Sequence, residues 1–96
     1  MPANTDIIKK IADDTGLSTT QLTISGLLAF LREKKRSIML DILNIASRYD
    51  AVSSKDLEKK IENGNIPEHP AWEDLIQLEN LESALALINK DIKAIQ

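Results

Sequence analysis

The chain has 96 residues and a formal net charge of −3, which suits one domain with a modest core, since a chain of this size buries only roughly 60–65% of its unfolded surface. It holds no cysteine, which removes disulfides, thiolate metal sites and thiol nucleophiles together and points to a reducing cytoplasm. Phe30, Tyr49 and Trp72 are the only aromatics among many Leu and Ile, so the stacking platform of single-stranded nucleic-acid binders is missing.

Residues 1–4 read as a short disordered tail. Over residues 5–15, Ile7, Ile8, Ile11 and Ala12 share a helical face, Asp6 suits the first turn, and Gly16 supplies the left-handed stop. With acids this early and no apolar core segment, the N-terminus does not read as a signal peptide. Ser18 is a natural N-cap with Gln21 completing a capping box, and Leu17 with Leu22 forms the matching hydrophobic staple.

From there the helical pattern runs over residues 19–49, on the order of 45 Å at 1.5 Å per residue. Gly26 costs this helix roughly 1 kcal/mol relative to Ala, which either a close helix approach or simple sequence drift would explain. The charged block Arg32–Arg36 marks a place where the element either continues or bends. The densest apolar run, Leu27–Leu31, is far too short to span a bilayer.

A break at Asp50–Ser53 precedes a short helix over 54–63, with Ser53 as cap, Val52 and Leu57 as staple, and Leu57 with Ile61 as its buried pair. Asn63-Gly64-Asn65 ends it. Ile66-Pro67-Glu68-His69-Pro70 is expected to be extended, because each proline biases its predecessor away from helix. Pro70 then opens a last helix over 70–93, with Glu73 and Asp74 as dipole-compatible acids. No segment alternates with period two, so the fold is expected to be all-α.

Two apolar ladders stepping by three and four organise these helices. The first is Ile24, Leu28, Leu31, Lys35, Ile38, Ile42, Ile45 and Tyr49; the second is Leu78, Leu81, Leu85, Ile88, Ile92 and Ile95. Such stripes mark seams between paired helices. They predict a long helical hairpin with short accessory helices, packed as a dimeric bundle. Lys35 interrupts the first seam, either fixing register opposite Glu79 or Glu82 or laying its stem along the seam with the ammonium in water.

The search for chemistry returns little. His69 is the only histidine, and Glu68 beside it points the other way in an extended segment, so it reads as a turn or capping residue. Asp13-Asp14 and Glu73-Asp74 are adjacent pairs that do not share a helix face. Glu79 and Glu82 do share one, but no histidine follows as in di-iron bundles, and they read as a solvated acidic face. The three glycines are isolated, so there is no phosphate loop. No catalytic, metal, cofactor or small-molecule site is expected.

Charge is unevenly spread. Residues 1–48 carry seven Lys/Arg against five acids, and residues 49–96 carry five Lys against ten acids, giving +2 and −5. This polarity either orients a head-to-tail contact, holds a basic partner on the C-terminal half, or is solvated surface. Trp72 either anchors a partner or, as a small aliphatic core would favour, plugs the hairpin end against Ile66 and Ile76.

The stretch IADDTGLSTTQLTISGLLAFLREK resembles the helix–turn–helix half of ribbon-helix-helix proteins, which read DNA with a strand ahead of the first helix; here only Met1–Thr5 precede it. Residues 48–85, with Arg48-Tyr49, Leu57, Ile61, Gly64 and the run from Pro67 to Leu75, are similar to a pattern in small prokaryotic helical proteins, some proposed as antitoxins. That resemblance implies a protein partner.

The function expected is therefore a homodimeric helical protein–protein interaction module, antitoxin-like, that binds a partner through Trp72, Leu78, Leu81, Leu85 and Ile88. The alternative is a DNA-binding regulator using Lys9, Lys10, Arg32, Lys34, Lys35 and Arg36, whose affinity would fall steeply with salt.

Overall fold

The computed structural model describes residues 3–96, with side chains from Asp6 onward. The expected tail at residues 1–4 falls outside this range at Met1 and Pro2, while Ala3 and Asn4 lie within the first helix. The fold is all-α: α1 spans Ala3–Thr15, α2 Thr19–Ser47, α3 Ser54–Glu62 and α4 Glu68–Ile95. The chain is elongated, 60 × 26 × 17 Å. Its frame is the antiparallel hairpin of α2 and α4, with α3 packed on α4 at the closed end and α1 on α2 at the open end.

Local chemistry explains where each helix starts. The Ser18 hydroxyl oxygen accepts the Gln21 amide at 3.0 Å, and the Gln21 side chain accepts the Ser18 amide at 2.9 Å. Together they satisfy two amides that a helix start leaves unpaired. Ser53 accepts the Asp56 amide at 3.1 Å, while Asp56 accepts the Val52 amide at 3.0 Å. Val52 itself is 86% exposed, so it does not form the expected staple with buried Leu57. In α4, His69 is non-helical (φ −111°, ψ 130°), and the continuous helix starts at Pro70.

Three helices end in one geometry. After α1, Leu17 donates to the Ala12 carbonyl and Gly16 to Asp13; after α2, Ala51 donates to Ala46 and Asp50 to Ser47; after α3, Asn65 donates to Lys60 and Gly64 to Ile61. The pivot residue is left-handed each time, with φ of 75° at Gly16, 55° at Asp50 and 75° at Gly64. This is the Schellman ending, in which a left-handed residue turns the chain so that orphan carbonyls find donors. Aspartate is one of the few L-residues that tolerates this conformation.

α2 is continuous through Arg32–Arg36. Gly26 has open space where a Cβ would sit, so no close helix approach accounts for it. The core sits at the closed end: Ile45 and Ala46 from α2, Leu57 and Ile61 from α3, and Ala71, Leu75 and Leu78 from α4, with Ile42, Tyr49, Ala51, Ile66 and Leu81 against them. Toward the open end the ladders face each other, with α1 against α2. Ile38 is buried, Leu28, Leu31, Leu85, Ile88, Ile92 and Ile95 are half-buried, and Ile24 is exposed.

Polar side chains latch the closed end. The Tyr49 hydroxyl donates to the Asp74 carboxylate, and Arg48 approaches the same carboxylate at 3.4 Å. Burial, then the hydrogen bond to Asp74, pushes the Tyr49 phenol up to about 12. Both Glu82 carboxylate oxygens are used at the start of α3: one accepts the Ser54 amide at 2.9 Å and the other its hydroxyl. The expectation of a solvated Glu82 is thereby corrected; it caps α3 from α4, where a negative charge also meets the positive end of the helix dipole.

Candidate protein-docking groove

Beside the α2–α4 seam the hairpin leaves an apolar groove of about 740 Å³. Ile42, Ala46 and Leu85 link it to the seam, and Met39, Leu40 and Leu43 line it from α2. These last three are 49%, 51% and 63% exposed. Ala51 and Val52, which precede the Ser53 cap of α3, close one end; Arg32, Lys35 and Arg36 stand at the other. The groove therefore runs on from where α3 begins.

The basic end is only partly neutralised. Arg36 pairs with Glu33 through two hydrogen bonds of 2.7 and 3.0 Å. That hydrogen bonding, reinforced by the opposite charge, lowers the Glu33 carboxyl below its ordinary value and raises the Arg36 guanidinium. Arg32 and Lys35 make no ion pair among the described residues. Lys35 does not meet Glu82, which is engaged with Ser54.

The expected interface residues fall in different places. Leu78 is fully buried in the core, while Leu81, Leu85 and Ile88 are half-buried along the same α4 stripe. This stripe faces α2 within the chain, and of these four only Leu85 also reaches the groove. Trp72 is 46% exposed and lines a small cleft with Glu68 and His69. It does not plug the hairpin end, a place taken by Ala71 and Leu75, which are buried one residue before and three after it. Ile76, its expected packing partner, is also half-exposed. His69 faces Glu73 at 3.0 Å on an exposed surface.

The six expected DNA-contacting residues do not form one surface. Lys10 is paired with Asp14 at 2.8 Å on α1. Lys34 lies two residues from both Arg32 and Arg36, about 200° around the helix and so on the opposite side. Among the described residues no cluster of His, Asp or Glu suits a metal ion, and no helix is long and apolar enough to cross a membrane.

Reading the ladder alone misses Met39, Leu40 and Leu43. Their signal is present in the run Ile38-Met39-Leu40-Asp41-Ile42-Leu43, where apolar residues spread well beyond one stepped stripe. A helix whose apolar arc is wider than its seam has a second surface to cover.

The chain belongs to the Uncharacterized protein MJ0235 family, whose sequence profile it matches over residues 1–96. No curated protein and no solved structure matches it.

Proposed function

We propose that the chain is a helical protein–protein interaction module, without catalytic activity of its own, that receives an amphipathic helix of a protein in the groove along α2. One observation carries this reading: Met39, Leu40 and Leu43 stand exposed in a row beside Ile42 and Ala46, which belong to the hairpin's own packing. Helix-in-groove recognition uses apolar anchors at such positions, with charge at the rim selecting the partner. The arrangement is in keeping with an antitoxin-like role, in which covering a partner's surface is itself the activity. The DNA-binding alternative is the weaker one, because its six cations are split between two helices and between opposite sides of α2.

The test is a photo-cross-linking amino acid placed at Leu43 and, as a control, at Asn63 beyond the end of α3, in cells that express the protein. Cross-linking to a polypeptide from Leu43 but not from Asn63 is expected. Labelling at Leu43 no greater than at Asn63 would remove the docking reading.

A further inference from the structure

The groove has unlike ends. Arg32 and Lys35 stand at one. Near the other, outside the lining itself, Asp50 directly precedes the lining residues Ala51 and Val52, and Glu79 lies one helical turn along α4 from the Glu82 that holds Ser54. The side chains of Asp50 and Glu79 are exposed and make no ion pair among the described residues. Between these charges lies the apolar centre, Met39 to Leu43. Lys60 reaches the Asp50 carbonyl at 2.5 Å at this end and is itself paired with Asp56 at 3.6 Å, so Asp50 and Glu79 are the charges left over.

Such a surface is complementary to itself when reversed. Turned about a two-fold axis near Leu40–Leu43, it lays apolar centre on apolar centre and basic end on acidic end. Arg36 lies roughly 8 Å from that axis and Ser47 the same distance on the other side, at 1.5 Å per residue. The cations of one copy thus come level with the helix end and Asp50 of the other. Two-fold contacts of this kind use one patch twice and close after two subunits. A parallel arrangement would instead set cation against cation. The patch is continuous with the intramolecular packing, because Ile42 and Ala46 belong to both.

We propose that the groove's occupant is α2 of a second copy of this chain, packed antiparallel across a two-fold axis near Leu40–Leu43, with Arg32 and Lys35 of each copy against Asp50 and Glu79 of the other. This rests on the docking reading above and names its partner.

The decisive experiment is light scattering with size-exclusion chromatography on the purified full chain, followed by a charge swap. The wild type is expected at twice the 10.7 kDa of one chain. Leu40→Glu with Leu43→Glu should weaken self-association at least about 100-fold while circular dichroism stays helical, since both residues are exposed in the single chain. The double changes Arg32→Glu with Lys35→Glu and Asp50→Lys with Glu79→Lys should each disfavour dimers while keeping wild-type helix content and melting, which checks the left-handed turn at Asp50, and mixing the two proteins should restore them. A nitroxide at Thr20→Cys should then sit about 65 Å from its mate along the helix direction. A monomeric wild type, or a mixture that stays monomeric, overturns the proposal, as does a separation under roughly 20 Å, which marks parallel packing. A monomer that still cross-links to a different protein at Leu43 would sink this proposal and leave the docking reading standing.

Discussion

At the closed end of the hairpin Ile45 is 3% exposed and Leu78 is fully buried, whereas Ile24, on the same ladder of α2, is 41% exposed. The spacing of apolar residues does not differ between these ends; what the third helix buries does. At the closed end α3 brings Leu57 and Ile61 over the two long helices, and seven residues close into one core. At the open end α1 buries little more than Ala12, leaving Ile7, Ile8 and Ile11 substantially exposed. Two helices in contact share one line of side chains and leave their flanks wet. A third element that reaches residues of both helices, as α3 does, is what converts a seam into a core.

The sharpest way to break this contrast is to delete equal volumes at the two ends. Leu57→Ala is expected to cost about 3–4 kcal/mol, because the cavity would sit among residues that pack it on every side. Leu28→Ala, half-buried at the open end, should cost no more than ~1.5 kcal/mol. Chemical denaturation compares the two directly. Equal losses would show that the ends are equally packed.

Next in size is the link between layers. Glu82→Ala should cost about 1–3 kcal/mol, since it strips the start of α3 of a charged acceptor for both its amide and its hydroxyl. Hydrogen exchange should locate the loss in α3 first. Tyr49→Phe should cost about 1–2 kcal/mol at neutral pH, the range for a hydrogen bond to a carboxylate. It should also change the alkaline limb. With the folded phenol raised to about 12 and the unfolded one near 10, the folded state holds the proton more tightly. Its contribution is complete below pH 10 and fades as pH rises toward about 12. A denaturation series from pH 9 to 12 on wild type and Tyr49→Phe checks this, and parallel curves would exclude the tyrosine as the cause.

The smallest effects oppose each other in sign. Gly64 ends α3 at φ 75° with open space around it, so Gly64→Ala should cost about 1 kcal/mol through backbone conformation alone. Gly26 has equally open space inside α2, and Gly26→Ala should add about 0.5–1 kcal/mol through helix propensity. Thermal melts of the pair should shift in opposite directions.

The positions of the helices were legible in the sequence because starts and stops are local. Ser18 with Gln21, Ser53, and Gly16 and Gly64 each act within about one helical turn. Asp50 adopts the left-handed ending without a glycine to announce it, yet the polar break after Tyr49 still placed the turn. The ladders identified the stripe on each long helix that faces the other. The groove was half legible: its basic end stood out as Arg32–Arg36, but its apolar centre lay among residues that a single-stripe reading passes over.

The sequence by itself thus determined an all-helical chain, its turns and its inward stripes, since these follow from hydrogen bonds and periodicity between near neighbours. Only the tertiary structure decided that Trp72 stays outside, that Glu82 caps a helix 28 residues away, and that Met39, Leu40 and Leu43 remain uncovered. Each of these depends on which flank of the hairpin α3 occupies and how far it reaches. That is a matter of packing between distant segments, on which residue spacing within one helix carries no information.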